Sequence, residues 1–372
     1  LSAFAITDCT SCRQKSEDKP LKIVEIPVEV PWEDMILWID WNYYGGLPMK
    51  TIKIGLLGMG NIGTGTYKTL EMNRAEVEST LGTKVEIVKI LEKDVTRDRG
   101  IEVPMDKFTQ DPDVIFNDPE IDIVIELLGG IEPASSFMLK AMENGKHVVT
   151  ANKAAVAANY HKLMETAKAN NIIFKFEASV GGGIPILGTL TGPLRANKFE
   201  EVMGILNGTT NYILHMMTKE GWSYDEALKD AQALGFAEAD PTADVEGIDA
   251  ANKLSILMAL MFDHYVPPTE IPTTGITEIT KEKIEEARSN KCKIKLIAHA
   301  KKEEDGSIFY EVRPMYISET HPLANINKEF NAVFVKGNAV DDLMFYGKGA
   351  GPLPTGSAVM GDVIEISRTI LR

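Results

Sequence analysis

The sequence predicts an α/β chain in two parts: a parallel sheet covered by helices, then an α+β domain, with a last helix returning to the first part. Three observations carry the prediction. Between residues 49 and 180, apolar strand-like runs alternate with helical patterns, an order that places helices on both faces of a parallel sheet. After about residue 180 a group of helical patterns precedes a group of alternating strands. The closing stretch, "PTGSAVMGDVIEISRTILR", is helical in pattern and is expected to pack back on the first part.

Taken in order, residues 1–48 form an extension of unknown role. They hold Trp32, Trp38 and Trp41 and the prolines of "LKIVEIPVEVPW", which demote that run to an edge strand or an extended arm; "YYGGLP" is a linker. Residues 49–180 form the first domain. Its strands lie in "KTIKIGLLG", "TKVEIVKIL", "EIDIVIELLGG", "KHVVTANK" and "NIIFKFEAS", with helices in "ASSFMLKAMENG" and "AAVAANYHKLMETAKANN". Residues 181–348 form the second, substrate-binding and dimerisation domain. It has helices in "TTNYILHMMTKEG", "SYDEALKDAQALG" and "DAANKLSILMALMF", then strands in "CKIKLIAHAKK", "SIFYEVRPMYI", "NAVFVKG" and "DDLMFYGKG". Residues 349–372 complete the first domain.

The 372 residues are 44% hydrophobic and 25% charged, ordinary for a globular protein with room for two cores. A net charge of -15 argues against nucleic acid and anionic membranes as partners, since both demand a cationic face. No apolar run approaches the roughly 20 residues needed to span a bilayer. The opening "LSAFAITDCTSCRQK" has no basic segment followed by an apolar one, so a cytoplasmic location is expected. Three cysteines fit a reducing compartment. Cys9 and Cys12 supply only half a tetrahedral zinc site, and Cys292 falls in a strand pattern.

Gly58, Gly60 and Gly63 spell GxGxxG between a strand and a helix. The first glycine permits the tight turn, the second lets the backbone approach a pyrophosphate, and the third allows close packing of helix on strand. The helix start at Asn61 and Ile62 adds free N–H donors for the phosphates. This context makes the first domain a Rossmann-type dinucleotide-binding domain. The second strand ends at Glu92 and Lys93. An acidic residue there suits a ribose 2′-hydroxyl and a basic one a 2′-phosphate; Lys93, backed by Arg97 and Arg99, favours NADP(H), with NAD(H) possible.

A nicotinamide cofactor needs a protein group to handle the substrate's proton. Aldehyde oxidation usually passes through a cysteine thiohemiacetal, and no cysteine lies between 13 and 291. Alcohol–aldehyde interconversion is therefore expected. Two lysines are candidates for the proton. Lys153 follows a sheet strand at the edge where α/β proteins bind ligands. Lys253 follows Asp249 by four residues, which puts both on one helix face. That helix is apolar on most sides, and a lysine buried beside a carboxylate is costly unless a site justifies it.

From Met49 onward the chain resembles homoserine dehydrogenase, on the motifs "GLLGMGNIGTG", "ELLGGIEPA", "TANKA", "FEASVGGGIPIL", "ILNGTTNYIL", "EADPTADVEGIDAANKLSIL", "HPLA" and "GKGAGPLPTGSAVMGDV". The resemblance implies reversible NAD(P)-dependent interconversion of L-homoserine and L-aspartate 4-semialdehyde, on the way to threonine, methionine and isoleucine. It implies that Lys253 is the principal catalytic lysine with Lys153 as its partner, that Asp249 and Asp244 line the substrate site, and that Glu238 binds the substrate amino group. It also implies cofactor contacts at Gly129 and Gly351, and a 2′-phosphate contact at Lys93. A monovalent cation (Na+) is implied at Glu177, Val180, Gly182 and Ile184, largely through backbone carbonyls, although a hinge is the plain alternative for that glycine run. A homodimer is implied as well. The extension 1–48 has no counterpart in the resemblance, and a short form without the C-terminal regulatory domain many relatives carry is expected, so threonine feedback through it is not. Two alternatives stand beside this expectation: a related dehydrogenase of another hydroxy-amino acid, and a catalytically silent NADP(H)-binding sensor.

Overall fold

The computed structural model describes residues 50–372. The features expected in residues 1–48, including the Cys9/Cys12 pair, lie outside the described residues. Six parallel strands, β1 (Ile52–Leu57), β2 (Val85–Leu91), β3 (Phe108–Thr109), β4 (Ile123–Glu126), β5 (His147–Thr150) and β6 (Phe174–Lys175), form a sheet in the order β3-β2-β1-β4-β5-β6. The strands are buried on both faces because their side chains alternate between two apolar layers. Ile54, Leu56, Ile123 and Val149 meet Leu70, Val359, Val363 and Ile366 on one face. Leu57, Val124 and Val148 meet Met138, Met142 and Leu163 on the other. The order reverses between β1 and β4, the switch point where sheets of this kind leave a crevice for ligands.

The last helix, Pro352–Ile370, packs on the helix that follows the glycine turn, Asn61–Met72. Their contact is backbone to backbone: a Cβ on Gly65 would fall 2.2 Å from the Pro352 carbonyl oxygen. Only glycine fits there, so the crossing is set by sequence rather than by general apolar attraction.

The second sheet is antiparallel. Strands β7 (Phe199–Ile205), β8 (Cys292–Lys302), β9 (Ile308–Ser318), β10 (Phe330–Gly337) and β11 (Asp341–Lys348) lie in the order β11-β10-β7-β8-β9. Val202, Leu296, Ala298, Val333 and Val335 share a core with Leu254, Leu257 and Met258 of the helix Ile248–Phe262. That helix also packs on the short helix Lys153–Ala158, which follows the parallel strand β5. No helix among the described residues is long and apolar enough to cross a membrane.

Besides β3 and the helices Arg74–Leu81 and Lys281–Ser289, which the patterns did not mark, three elements differ from expectation for a physical reason. β7 was not anticipated, because Glu200, Glu201 and Gly204 dilute the alternation of "FEEVMGI"; yet it is the central strand, paired on both sides. The helix expected across 154–171 breaks at Asn159 into Lys153–Ala158 and Tyr160–Ala169; the Asn159 side chain turns instead to donate to Ser135 Oγ at 2.9 Å. The strand expected in "NIIFKFEAS" is only Phe174–Lys175, since the chain coils into a 3-10 turn at Glu177–Ser179 where Ser179 Oγ donates to the Phe176 carbonyl.

Candidate active site

The glycine turn leaves β1 at Leu57 and enters its helix at Asn61. Gly58 has φ +92°, and a Cβ on Gly63 would lie 2.2 Å from the Gly58 carbonyl oxygen, so the first and third glycines are sterically required. Among the described residues no side chain caps the helix start, leaving its first N–H groups open to an anion. Glu92 at the tip of β2 accepts from the Met59 N–H at 2.9 Å and from the Lys93 and Asp94 N–H groups at 2.8 and 3.2 Å. Burial pushes its carboxyl up, but these donors outweigh burial and hold it below the usual range. Arg99 donates to the Met59 carbonyl at 2.9 Å and stands 3.3 Å from Glu92. Beside the turn a cavity of about 350 Å³ is lined by Asn61, Thr64, Lys68, Arg97 and Arg99. Lys93 is exposed and is not among its lining residues.

A second, larger cavity of about 530 Å³ runs from Ile62, beside the glycine turn, to the acidic stretch. Gly247, at φ +83°, starts the helix Ile248–Phe262, whose first two turns carry Asp249 and Lys253. Both are buried, at 6% and 7% exposure. Lys253 Nζ donates to Asp249 Oδ2 at 2.7 Å and to the Leu206 carbonyl at 2.6 Å, which leaves one of its three donors unused among the described residues. Lys153 Nζ reaches the other Asp249 oxygen at 2.9 Å. The Asn207 amide donates to Asp249 Oδ2 at 2.9 Å and to Asp244 Oδ1 at 2.7 Å, while its oxygen caps the following helix by accepting from Thr210. Thr209 Oγ1 lies 2.9 Å from Asp244 Oδ2.

The electrostatics follow from this arrangement. Burial would push the Asp249 carboxyl up, but the Lys253 and Lys153 ammoniums and the Asn207 amide hold it far below the carboxylate range. Burial pulls Lys253 down, only partly countered by Asp249, and the Lys153 charge adds to the fall. Lys153 is raised, first by Asp249. One carboxylate thus serves two lysines whose pKa values move in opposite directions.

The segment 177–184 lies against the same cavity through Ala178, Ser179 and Gly182. The Glu177 carboxylate accepts from the Leu187 N–H at 2.9 Å and from the Gly188 N–H. The Glu177 and Ile184 carbonyls accept from Val180 and Ile186. Val180 and Gly182 are buried, and among the described residues no donor reaches their carbonyl oxygens. Buried carbonyls of that kind ordinarily find a partner, and neutral carbonyl oxygens are ligands that suit a hard cation.

The structure brings Ile62, Lys153, Gly182 and Gly351 to one cavity. Glu238, Asp244, Asp249 and Lys253 line it as well. Gly58, Gly60, Asn61 and Gly63 form the turn at its end. Gly129 sits in the exposed turn after β4. Asp240 and Glu246, also in the acidic stretch, bond to Thr242 and Thr277 instead. Residues not singled out from sequence are Asn207, which joins Asp244 to Asp249, and Lys68; an Asn opening a helix just after a strand was the available signal for the former.

A dinucleotide crevice opening into a lysine–carboxylate cluster defines an NAD(P)-dependent oxidoreductase, and Cys292, half-buried at the start of β8, is not part of the cavity wall. The homoserine dehydrogenase family model matches residues 185–364, and the model of the homoserine dehydrogenase NAD binding domain matches residues 58–177. Homoserine dehydrogenase of Bacillus subtilis is 43% identical over 323 residues, covering 87% of this chain and 74% of that protein; that of Corynebacterium glutamicum is 41% identical over 325 residues, covering 86% and 73%. The crystal structure of a homoserine dehydrogenase from Thiobacillus denitrificans superposes with a TM-score of 0.83 at 42% identity, covering 87% of this chain and 74% of that one. A hyperthermophilic archaeal homoserine dehydrogenase in complex with NADPH superposes with a TM-score of 0.70 at 27% identity, covering 85% and 97%. The chain belongs to the homoserine dehydrogenase family: it is an NAD(P)-dependent oxidoreductase acting on a hydroxyl group.

Proposed function

We propose that the larger cavity interconverts L-homoserine and L-aspartate 4-semialdehyde, with Lys253 moving the proton at the substrate oxygen. The observation that carries this role is the Asp249 carboxylate held between Lys253 and Lys153, at 2.7 and 2.9 Å, on the wall of a cavity that also reaches the glycine turn. The bound nicotinamide supplies or accepts the hydride. In the reductive direction a C–H bond forms at the carbonyl carbon while the spare Lys253 N–H becomes the new O–H bond, leaving a neutral amine. Asp249 fixes the direction of that donor, and Lys153 hydrogen-bonds the same oxygen. In oxidation the neutral amine of Lys253 takes the hydroxyl proton as the hydride leaves. The lowering of the Lys253 pKa by burial moves it towards the operating pH, where an acid–base group works best in both directions.

The amino acid is gripped by charge. Glu238 lines the cavity, its carboxylate without a hydrogen-bond partner among the described residues, and takes the ammonium, with Asp244 beside it. NADP(H) is the preferred cofactor and NAD(H) is accepted. Both Glu92 oxygens are already occupied by backbone donors, which weakens the case for a 2′-hydroxyl there. Lys68, Arg97 and Arg99 offer cations to a 2′-phosphate, a role expected of Lys93. The carbonyls of Glu177, Val180, Gly182 and Ile184 hold Na+, which ties the segment between the sheets and enters no chemical step. The chain acts as a homodimer; Met344 and Tyr346, 40% and 54% exposed on the outer strand β11, are apolar surface for a second copy.

The test is steady-state oxidation of L-homoserine with NADP and NAD, beside a panel of other hydroxy-amino acids. Turnover is expected with L-homoserine foremost. No turnover with any substrate, together with NADPH binding, would leave the sensor alternative standing.

A further inference from the structure

Behind Lys153 lies a hydrogen-bonded ring that the reaction does not use directly. Glu126 and Thr150 are register partners at the ends of β4 and β5, and both are fully buried. Glu126 Oε1 accepts from the Leu128 N–H at 2.6 Å, and its Oε2 accepts from Thr150 Oγ1 at 2.6 Å. Thr150 Oγ1 in turn accepts from the Asn152 N–H at 2.9 Å. The Asn152 side chain closes the ring, donating to the Leu128 and Gly130 carbonyls at 3.1 and 2.7 Å. Its oxygen accepts from the Ala155 N–H at 3.0 Å and so caps the helix whose first residue is Lys153.

We infer that Glu126 is a positioning residue: through Thr150 and Asn152 it fixes the start of the Lys153 helix, and with it the Lys153 ammonium, against the loop that follows β4. The choice of side chain supports this. Among the described residues no cation partners Glu126, and burial pushes its carboxyl up to about 7 despite the Thr150 and Leu128 donors. A buried carboxyl without a counter-charge is costly, and a single loop contact could be made by a neutral group. Ionised, the carboxylate offers two acceptor oxygens in one plane, which holds donors from two strand ends at once. Register pairing of Glu126 with Thr150 means that neither strand end can shift without breaking the ring, and the Lys153 Nζ–Asp249 contact of 2.9 Å depends on where that second strand end lies.

The inference rests on the proposed role of Lys153, and the test separates the two. It measures kcat at saturating substrate and cofactor, with thermal unfolding of each variant, for Thr150→Val, Glu126→Gln, Thr150→Ser and Lys153→Ala, and for each of the first two combined with Lys153→Ala. Misplacing a catalytic group by about an ångström costs on the order of 10²-fold, so Thr150→Val is expected to lose about 10- to 100-fold in kcat. Glu126→Gln, which keeps shape but not both acceptors, loses kcat in the same direction, and Thr150→Ser, which keeps the hydroxyl, retains it. In the Lys153→Ala background the same changes add less than about threefold, because residues acting through one another are not additive. Equal factors in both backgrounds, or unchanged kcat with only a lower unfolding temperature, overturn the inference and leave the ring a structural brace. Wild-type kcat in Lys153→Ala alone overturns the role of Lys153 and the inference with it.

Discussion

Replacing Asp249 by Asn removes the charge at the centre of the site and little volume. Asp249 accepts from three donors, Lys253 at 2.7 Å, Lys153 at 2.9 Å and Asn207 at 2.9 Å. An asparagine can accept on one oxygen only, and its own N–H groups would face an ammonium or the Asn207 amide. Removing one partner of a buried pair typically costs about 3–5 kcal/mol, and Lys253 limits the loss by giving up its proton. Since the Asp249 charge raises Lys253 against burial, its removal moves the Lys253 titration to lower pH. The loss of a fixed donor direction is expected to lower kcat by about 10²-fold. The assay is the pH profile of semialdehyde reduction, with denaturant unfolding alongside. In the wild type the limb where reduction fails with rising pH lies below the ordinary lysine pKa of 10.5; in Asp249→Asn it lies lower still. A limb that stays in place or moves up would refute the electrostatic argument.

Other expectations follow from the same geometry. Glu238→Gln should raise KM for L-homoserine by about 10-fold or more, the scale of a hydrogen bond to a charged group, while KM for the cofactor is unchanged in the same steady-state series. Arg97→Ala should raise KM for NADPH by about 10-fold and leave NADH untouched; equal effects on both cofactors would contradict a 2′-phosphate site there. Lys295 is buried among neutral groups, donating to Asn211 Oδ1 at 2.9 Å and to the Ile326 carbonyl, and burial, reinforced by Lys293, lowers it from 10.5 to about 7. Between those values the unfolded chain holds this proton and the folded chain does not, so stability should climb with pH through that window, by at most about 1.4 kcal/mol per pH unit. Lys295→Met should flatten the climb in urea unfolding measured across the window.

Sequence patterns reveal short-range chemistry best. The glycine turn was legible because Gly58, Gly60 and Gly63 fall between an apolar strand and a helix, and the strain at Gly58 and the contact at Gly63 are local. Asp249 and Lys253 were legible because four residues bring side chains together on any helix. Apart from the family resemblance, Lys153 joining them was suggested by its place after a strand; its contact with Asp249 depends on how the helix Ile248–Phe262 crosses the helix Lys153–Ala158, which no local pattern encodes. Asn207 shows the same limit, since its helix-capping oxygen is a sequence signal but its amide between Asp244 and Asp249 is tertiary. β7 escaped notice because a central strand needs alternation only where its neighbours are apolar, and Glu201 is instead paired with His299 at 2.7 Å. At the tip of β2 the partners were not legible: Glu92 is bonded to the Met59 N–H of the glycine turn, and Lys68, from the helix after that turn, lines the cavity that Lys93 does not.

Single-turnover hydride transfer in Lys253→Ala, started from enzyme already loaded with NADPH, isolates the proton from every binding step. If the buried amine delivers it, the rate falls by about 10²- to 10⁴-fold while NADPH affinity stays at the wild-type value. A rate within a few-fold of wild type would mean that another group protonates the oxygen and that the lysine–aspartate pair only holds the fold together.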